Sequence, residues 1–497
     1  MLPTHRSPDL QAWPDATTCR KEIAAGQLRP SELLDQCQAR IERLNGKVNA
    51  LVRLNHDAAR QTAQQADQAA SKGATSSLLG LPVSIKDAFA TRGLITTASH
   101  PPLRDYLPDQ DATLVARLKA AGAIIVGKSN LSQLAGDPQC WSPLHGPTRN
   151  PWGKGLTPGG SSGGSAVAVA LGFSLMDIGS DIGGSIRIPA AYCGITGMKA
   201  SENRLPRTGH IPHLPGGRRS VRHLLSFGLL ARTVADLALG MPCLSGPDAL
   251  DSEVPPIPWK TTPPPQRPLR IAWWDDFPGL PLCPRTRSAL KQTVLRLADA
   301  GCKLSRTWPS DFDLEQAWQA FGHIAGYEIG LDESFATKRI MQLGSYLSPK
   351  GAPLTRAFCA GFTASPKQYA DALAVRDRLM AGLEYFLEDY DLLLCPVAAL
   401  TAYPAFPLSP WRPPPPLAVD GKKIPYIDAT LGLTTPFSLT GSPVISLPVG
   451  IYANLPVGLQ AVGKRWQDEA LLAACQQLAE IIGPTPPPPI ALNKQQK

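Results

Sequence analysis

No segment of this 497-residue chain is apolar for long enough to cross a membrane, and the first thirty residues hold no continuous apolar run of the kind that directs secretion. Both absences point to a cytoplasmic protein without a membrane anchor. The ten cysteines stand singly, with no CxxC pair and none of the dense spacing of a disulfide scaffold, so reduced thiols are expected. Cys193 reads as a small buried packing residue. Histidine is scarce, and none follows His323. His210 and His213 lie three apart, but Pro212 separates them and no carboxylate pair stands beside them, so they read as a surface loop and not as metal ligands. The formal net charge of +9 is thinly spread. Only residues 204–222 concentrate basic side chains, in a stretch that reads as a solvated loop, and no nucleic-acid-binding module is recognisable.

What the chain has in quantity is proline and glycine, 51 and 43 residues. The prolines cluster at 255–268, 413–416 and 484–489, which read as surface excursions and a tail. With 43% hydrophobic residues, a chain of this length can bury a large core. Residues 111–122 read as a helix stopped by glycine and followed by a strand at 124–126; residues 31–41 read as a helix with a serine cap. Residues 312–390 are largely helical by pattern, with Trp318, Phe321, Tyr327, Phe335, Tyr346 and Phe358 assigned mostly to the core.

The glycines matter most between residues 157 and 199, where two glycine-flanked serine turns carry Ser161/Ser162 and Ser185. Glycine beside serine opens backbone conformations that expose the hydroxyl and aim neighbouring N–H groups into a cavity. A flexible linker would not continue into the apolar segment 166–172, nor join a glycine pair to Ser185, Arg187 and Pro189 in a first helical turn. A phosphate-binding loop would need a lysine after Gly163 or Gly164, and none is there. Gly159 to Gly163 does satisfy G-x-S-x-G with Ser161 at its centre, but that elbow works with a late histidine, and no H-G-G-G sequence precedes it. A serine nucleophile here needs another base. Burial can lower a lysine into that role, and in Leu81-Pro82-Val83-Ser84-Ile85-Lys86-Asp87 the apolar residues alternate with Ser84 and Lys86, as on a strand with one face buried. Alternation alone leaves Lys86 equally readable as a solvated strand lysine.

Together, Ser84-Ile85-Lys86-Asp87, Gly159-Gly160-Ser161-Ser162-Gly163-Gly164 and Gly183-Gly184-Ser185-Ile186-Arg187 resemble the amidase signature family, as do residues 111–130, 146–152 and 435–459. The resemblance implies an α/β fold with a mixed sheet of about eleven strands between helical layers, residues 1–497 as one domain with a core of about 9–484 and a proline-rich tail at 484–497. It implies a Ser-cisSer-Lys triad in which Ser185 attacks the carbonyl, Ser161 relays the proton and Lys86 is the base. The amides of Ile182, Gly183, Gly184 and Ser185 would face the oxyanion, Asp181 and Arg187 would brace the turn, and Ala135 would leave room beside the acyl group. Ser162 reads as structural, since adjacent hydroxyls point apart. No cofactor and no metal is implied; the partner is a small-molecule amide, and a homodimer is compatible.

Residues 202–209, Glu-Asn-Arg-Leu-Pro-Arg-Thr-Gly, depart from the Tyr-Gly-Arg-Val-Ser-like stretch found in the catalytic subunits of glutamyl-tRNA amidotransferases and are more similar to stand-alone fatty-acid-amide and aryl-amide hydrolases. The expected activity is therefore hydrolysis of aryl or bulky acyl amides, with carbamates or esters as further substrates. The alternatives are the catalytic subunit of a tRNA-dependent amidotransferase and a non-catalytic binding protein on the same scaffold.

Overall fold

The computed structural model describes residues 13–217, 219–349, 351–408 and 413–492. Its centre is an eleven-stranded mixed sheet in the order Leu51–Leu54, Ile124–Ser129, Pro82–Lys86, Met176–Asp181, Ser226–Ala231, Thr196–Lys199, Val444–Tyr452, Leu455–Val462, Leu392–Pro396, Arg270–Trp273 and Lys303–Arg306. Pro82–Lys86 runs parallel to both neighbours, with Ser84 opposite Asp177, and the central strands from Met176 to Val462 pair antiparallel. The α/β class and the strand number agree with expectation.

Helices cover both faces. On Ser226–Ala231, Leu229 belongs to one hydrophobic core and its neighbour Leu230 to another, so each face of the sheet is sealed. This corrects the one-face reading of Pro82–Lys86. All five of its residues are buried, and Lys86 points into protein rather than water.

The segment at 111–129 forms as read: helix Thr113–Ala120, Gly122 at φ 92°, then strand Ile124–Ser129. The N-terminal helix is Pro30–Val48, and Ser31 does not cap it; Pro30 sets the first turn and the Glu32 carboxylate accepts the Arg29 N–H at 3.2 Å. Residues 312–390 are helical, in Leu314–Gly330, Phe335–Leu347, Pro353–Gly361 and Pro366–Phe386. Trp318 and Phe321 are core, but Phe335 and Tyr346 are 73% and 77% exposed, because Phe335–Leu347 turns its apolar side outward.

Two expectations for residues 204–222 are overturned. Arg204 and Arg207 are buried, not solvated, because carboxylates compensate them: Arg207 grips Asp251 at 2.9 and 3.0 Å and Glu253 at 2.8 Å, and Arg204 reaches Glu469 at 2.5 Å. His210 is no surface residue; Phe89 and Phe227 sandwich its ring at 4.8 Å each, and burial drives its pKa well below the usual range. Of the proline-rich tail, residues 493–497 lie outside the described part; within it Pro488 is buried and Ile490 packs against the core containing Trp13. Among the described residues no helix is long and apolar enough to cross a membrane.

Candidate active site

Pro82–Lys86 and Met176–Asp181 are adjacent parallel strands that end on the same edge of the sheet, one on Lys86 and the other on Asp181. The carboxyl ends of parallel strands are where an α/β sheet opens to a ligand. Lys86 is fully buried, and its Nζ lies 2.7 Å from Ser161 Oγ, 2.8 Å from Ser162 Oγ and 3.0 Å from Ser180 Oγ. No carboxylate pairs with it among the described residues. Burial lowers its pKa to about 7, against the weaker pull of Cys140, Asp181 and Asp177. Near neutrality the amine therefore exists in quantity, able to accept a proton from one hydroxyl while donating to others.

Ser161 and Ser162 sit at the start of helix Gly163–Ala170, and the Gly160–Ser161 peptide is cis. A Cβ on Gly164 would stand 2.4 Å from the Asn130 nitrogen, so only glycine lets this helix start lie against the end of strand Ile124–Ser129. The turn wraps the lysine. Both hydroxyls consequently reach Nζ, correcting the reading of Ser162 as a residue pointing away. The second turn is joined to the first by Ser162 N–H donating to the Ser185 carbonyl at 3.2 Å. No Ser161-to-Ser185 hydroxyl bond is formed in this state.

Asp181 organises the Ser185 turn. Its carboxylate accepts the N–H groups of Gly184 at 2.8 Å and Ile186 at 3.0 Å and pairs with Arg187 at 2.8 and 3.1 Å. Burial alone would raise its pKa, but the Arg187 guanidinium and these amides outweigh that and hold it at about 2. Arg187 also reaches the Thr434 carbonyl at 2.8 Å, Ser438 Oγ at 2.6 Å and Gln460 at 3.3 Å. The bracing role expected for Asp181 and Arg187 is what the geometry shows. The expected oxyanion donors are reduced by one: the Gly184 N–H is spent on Asp181, whereas the amides of Ile182, Gly183 and Ser185 have no protein acceptor among the described residues.

Gly184 has φ 122°, and an added Cβ would lie 2.6 Å from Thr434 Oγ1 and 2.7 Å from Ile188 Cδ1. Gly184→Ala is therefore expected to twist the turn, lowering kcat/KM by about 100-fold or more together with the melting temperature. A thermal melt and an anilide assay on the variant check this.

Beside Gly183 stand Leu431, Phe321 and Thr435, at 3.3, 3.7 and 3.7 Å from the position of an added Cβ. This wall is apolar. Ala135 is half-buried on the turn Gln133–Ala135, and the chain beyond it runs against Gly160. Sequence reasoning missed Ser180, Leu431, Thr434, Ser438 and Gln460. Ser180 could have been found by its place one residue before Asp181; the others come from a segment more than 240 residues away from Arg187 and Gly183. Cys193 is buried and its thiol pKa is pushed well up by burial, as a packing residue requires.

Fold and site together define an α/β protein whose polar centre is a lysine among serine hydroxyls, next to unspent backbone amides, with no histidine bonded to it among the described residues. The chain belongs to the amidase family: the family model described as Amidase matches residues 32–472. It is 33% identical over 476 residues to a glutamyl-tRNA(Gln) amidotransferase catalytic chain, the one designated A, of Roseiflexus sp. (strain RS-1), covering 91% of this chain and 93% of that protein. Among solved structures, an amidase is 30% identical with TM-score 0.76, covering 95% and 100% of the two chains. 6-Aminohexanoate cyclic dimer hydrolase, complexed with substrate, is 25% identical with TM-score 0.80, covering 98% and 100%. The likeness to an amidotransferase chain runs against the expectation that this protein stands nearer to the stand-alone hydrolases. A short stretch such as 202–209 weighs little against identity spread over the whole chain.

Proposed function

We propose that this chain hydrolyses the C–N bond of small-molecule amides through an acyl ester on Ser185, the acyl group lying against Leu431 and Phe321. Ser185 Oγ bonds to the carbonyl carbon while its proton passes to Ser161 Oγ and the Ser161 proton passes to Lys86 Nζ. The C–N bond then breaks, and the proton held at Lys86 returns along the same path to the leaving nitrogen. Water repeats the sequence on the ester, freeing the acid and restoring Ser185. The amides of Ile182, Gly183 and Ser185 take the charge that develops on the carbonyl oxygen. The observation that carries this reading is the buried, unpaired Lys86 within hydrogen-bond reach of three serine hydroxyls. The missing Ser161–Ser185 bond is one that substrate binding would close. All ten cysteines are free, which supports a reducing compartment.

Intact-protein mass spectrometry after fluorophosphonate treatment, beside an anilide-release assay, tests the reading. A single adduct with anilide turnover is the expected result; no adduct and no turnover would sink it and favour a binding protein. Ser161→Ala is expected to lower kcat by about 100-fold or more with the fold intact, and a rate equal to the parent's would rule out the relay.

A second reading is favoured by the amidotransferase relative: the chain as the catalytic member of a complex, releasing ammonia from an amide donor for its partners. Overall sequence relatedness supports it better. The apolar wall beside Gly183 keeps the first reading in front, since the polar glutamine side chain gains little there. Glutaminase activity appearing only with co-purified partner chains would decide for the second.

A further inference from the structure

Asp137 is a carboxylate without a cation. Its oxygens accept the Gln139 backbone N–H at 2.7 Å and the Tyr426 hydroxyl at 3.1 and 3.2 Å, and among the described residues no lysine, arginine or histidine pairs with it. Those bonds leave lone pairs of an ionised carboxylate free.

Its position brackets the active centre from two sides. The carbonyls of Asp137 and Gln139 lie 2.7 Å from where a Cβ on Gly160 would be, so this loop rests on the residue before Ser161. Tyr426 begins the helix Tyr426–Leu431, whose last residue faces Gly183. The Asp137–Tyr426 pair thus ties the wall of the first serine turn to the wall of the second. Ile182, Ser185, Leu431, Ala135 and Asp137 all keep partial exposure while most of their neighbours are buried, the pattern of residues bordering one opening. The surrounding protein pushes the Asp137 pKa up to about 7, against the Gln139 and Tyr426 hydrogen bonds.

We propose that Asp137, held by Tyr426, is a specificity-determining residue that takes an ammonium or other charged N–H donor at the far end of a substrate whose amide carbonyl lies at the Gly183 and Ser185 amides. The inference rests on the Ser185 reading and narrows its substrate class to amides with an apolar middle and an amine-bearing end. A charge-assisted hydrogen bond in a site that excludes most water discriminates strongly, whereas the same carboxylate in open solvent would not.

The test uses alkyl fluorophosphonates in matched pairs, one ending in an ammonium and the other in a methyl group, over a short series of chain lengths. Labelling forms the Ser185 Oγ–P bond, breaks the P–F bond and releases the serine proton with fluoride, so no natural substrate is needed. The full-length protein is expected to react about tenfold or more faster with the ammonium probe at one preferred length. In Asp137→Asn the difference between the probes should collapse. Asp137→Glu carries the test if that variant does not fold, and should move the optimum to a shorter probe. No preference at any length, an undiminished preference in Asp137→Asn, equal loss with both probes, or an unchanged optimum in Asp137→Glu would each overturn the proposal. Failure of both probes to label the parent protein would instead remove the Ser185 reading, and this inference with it.

Discussion

Replacing Ser185 with alanine is expected to abolish amide turnover, a fall of about 10,000-fold or more in kcat, and to erase the fluorophosphonate adduct. The hydroxyl is the one serine oxygen placed beside the free Ile182, Gly183 and Ser185 amides, so a carbonyl held there has no other attacking group. Nothing in the fold depends on it: Asp181 holds the turn through Gly184, Ile186 and Arg187. The variant should therefore melt with the parent, within about 0.5 kcal/mol of stability. Intact mass, anilide release and a thermal melt read the three quantities separately. An adduct surviving in Ser185→Ala would place the nucleophile elsewhere, and Ser161 would be the next to test.

Lys86→Met should be nearly as inactive, again by about 10,000-fold, for a different reason: the hydroxyls remain but no group can hold their proton. In the parent protein the Lys86 pKa is lowered to about 7 by burial, so the neutral base accumulates as pH rises. Activity should climb through about pH 7 and level off above it. A profile flat across neutrality would exclude Lys86 as the titrating base. The same shift makes a stability statement. An unfolded lysine titrates at about 10.4, so between the two values the unfolded chain holds a proton that the folded chain does not, and stability rises with pH there. Below about pH 7 the folded protein carries the full cost of a buried ammonium. Lys86→Met removes that cost, and is expected to melt no lower than the parent at about pH 6 while losing its activity. A large drop in melting temperature would mean that the lysine is there for structure.

Much of the centre was legible in the residues alone. Glycine on both sides of Ser161 and Ser185 has only a few physical uses, and no histidine follows His323 to serve a late-histidine elbow. The helix-glycine-strand unit at 113–129 followed from local pattern. The exposure of Phe335 and Tyr346 was not legible, because a helical period says which residues share a face but not whether the fold covers that face.

Residue types and their order along the chain determined the helices, the turns and the candidate triad, since these depend on neighbours within a few positions. The tertiary structure alone decided whether Lys86 is a solvated ammonium or a base poised near neutrality. That depends on strands from distant parts of the chain closing over it on both sides and bringing no carboxylate to pair with it. It likewise decided that Gly184 gives its N–H to Asp181, and that Leu431 and Tyr426 stand beside Gly183 and Asp137. Desolvation and long-range contact are properties of three-dimensional packing, and no local pattern carries them.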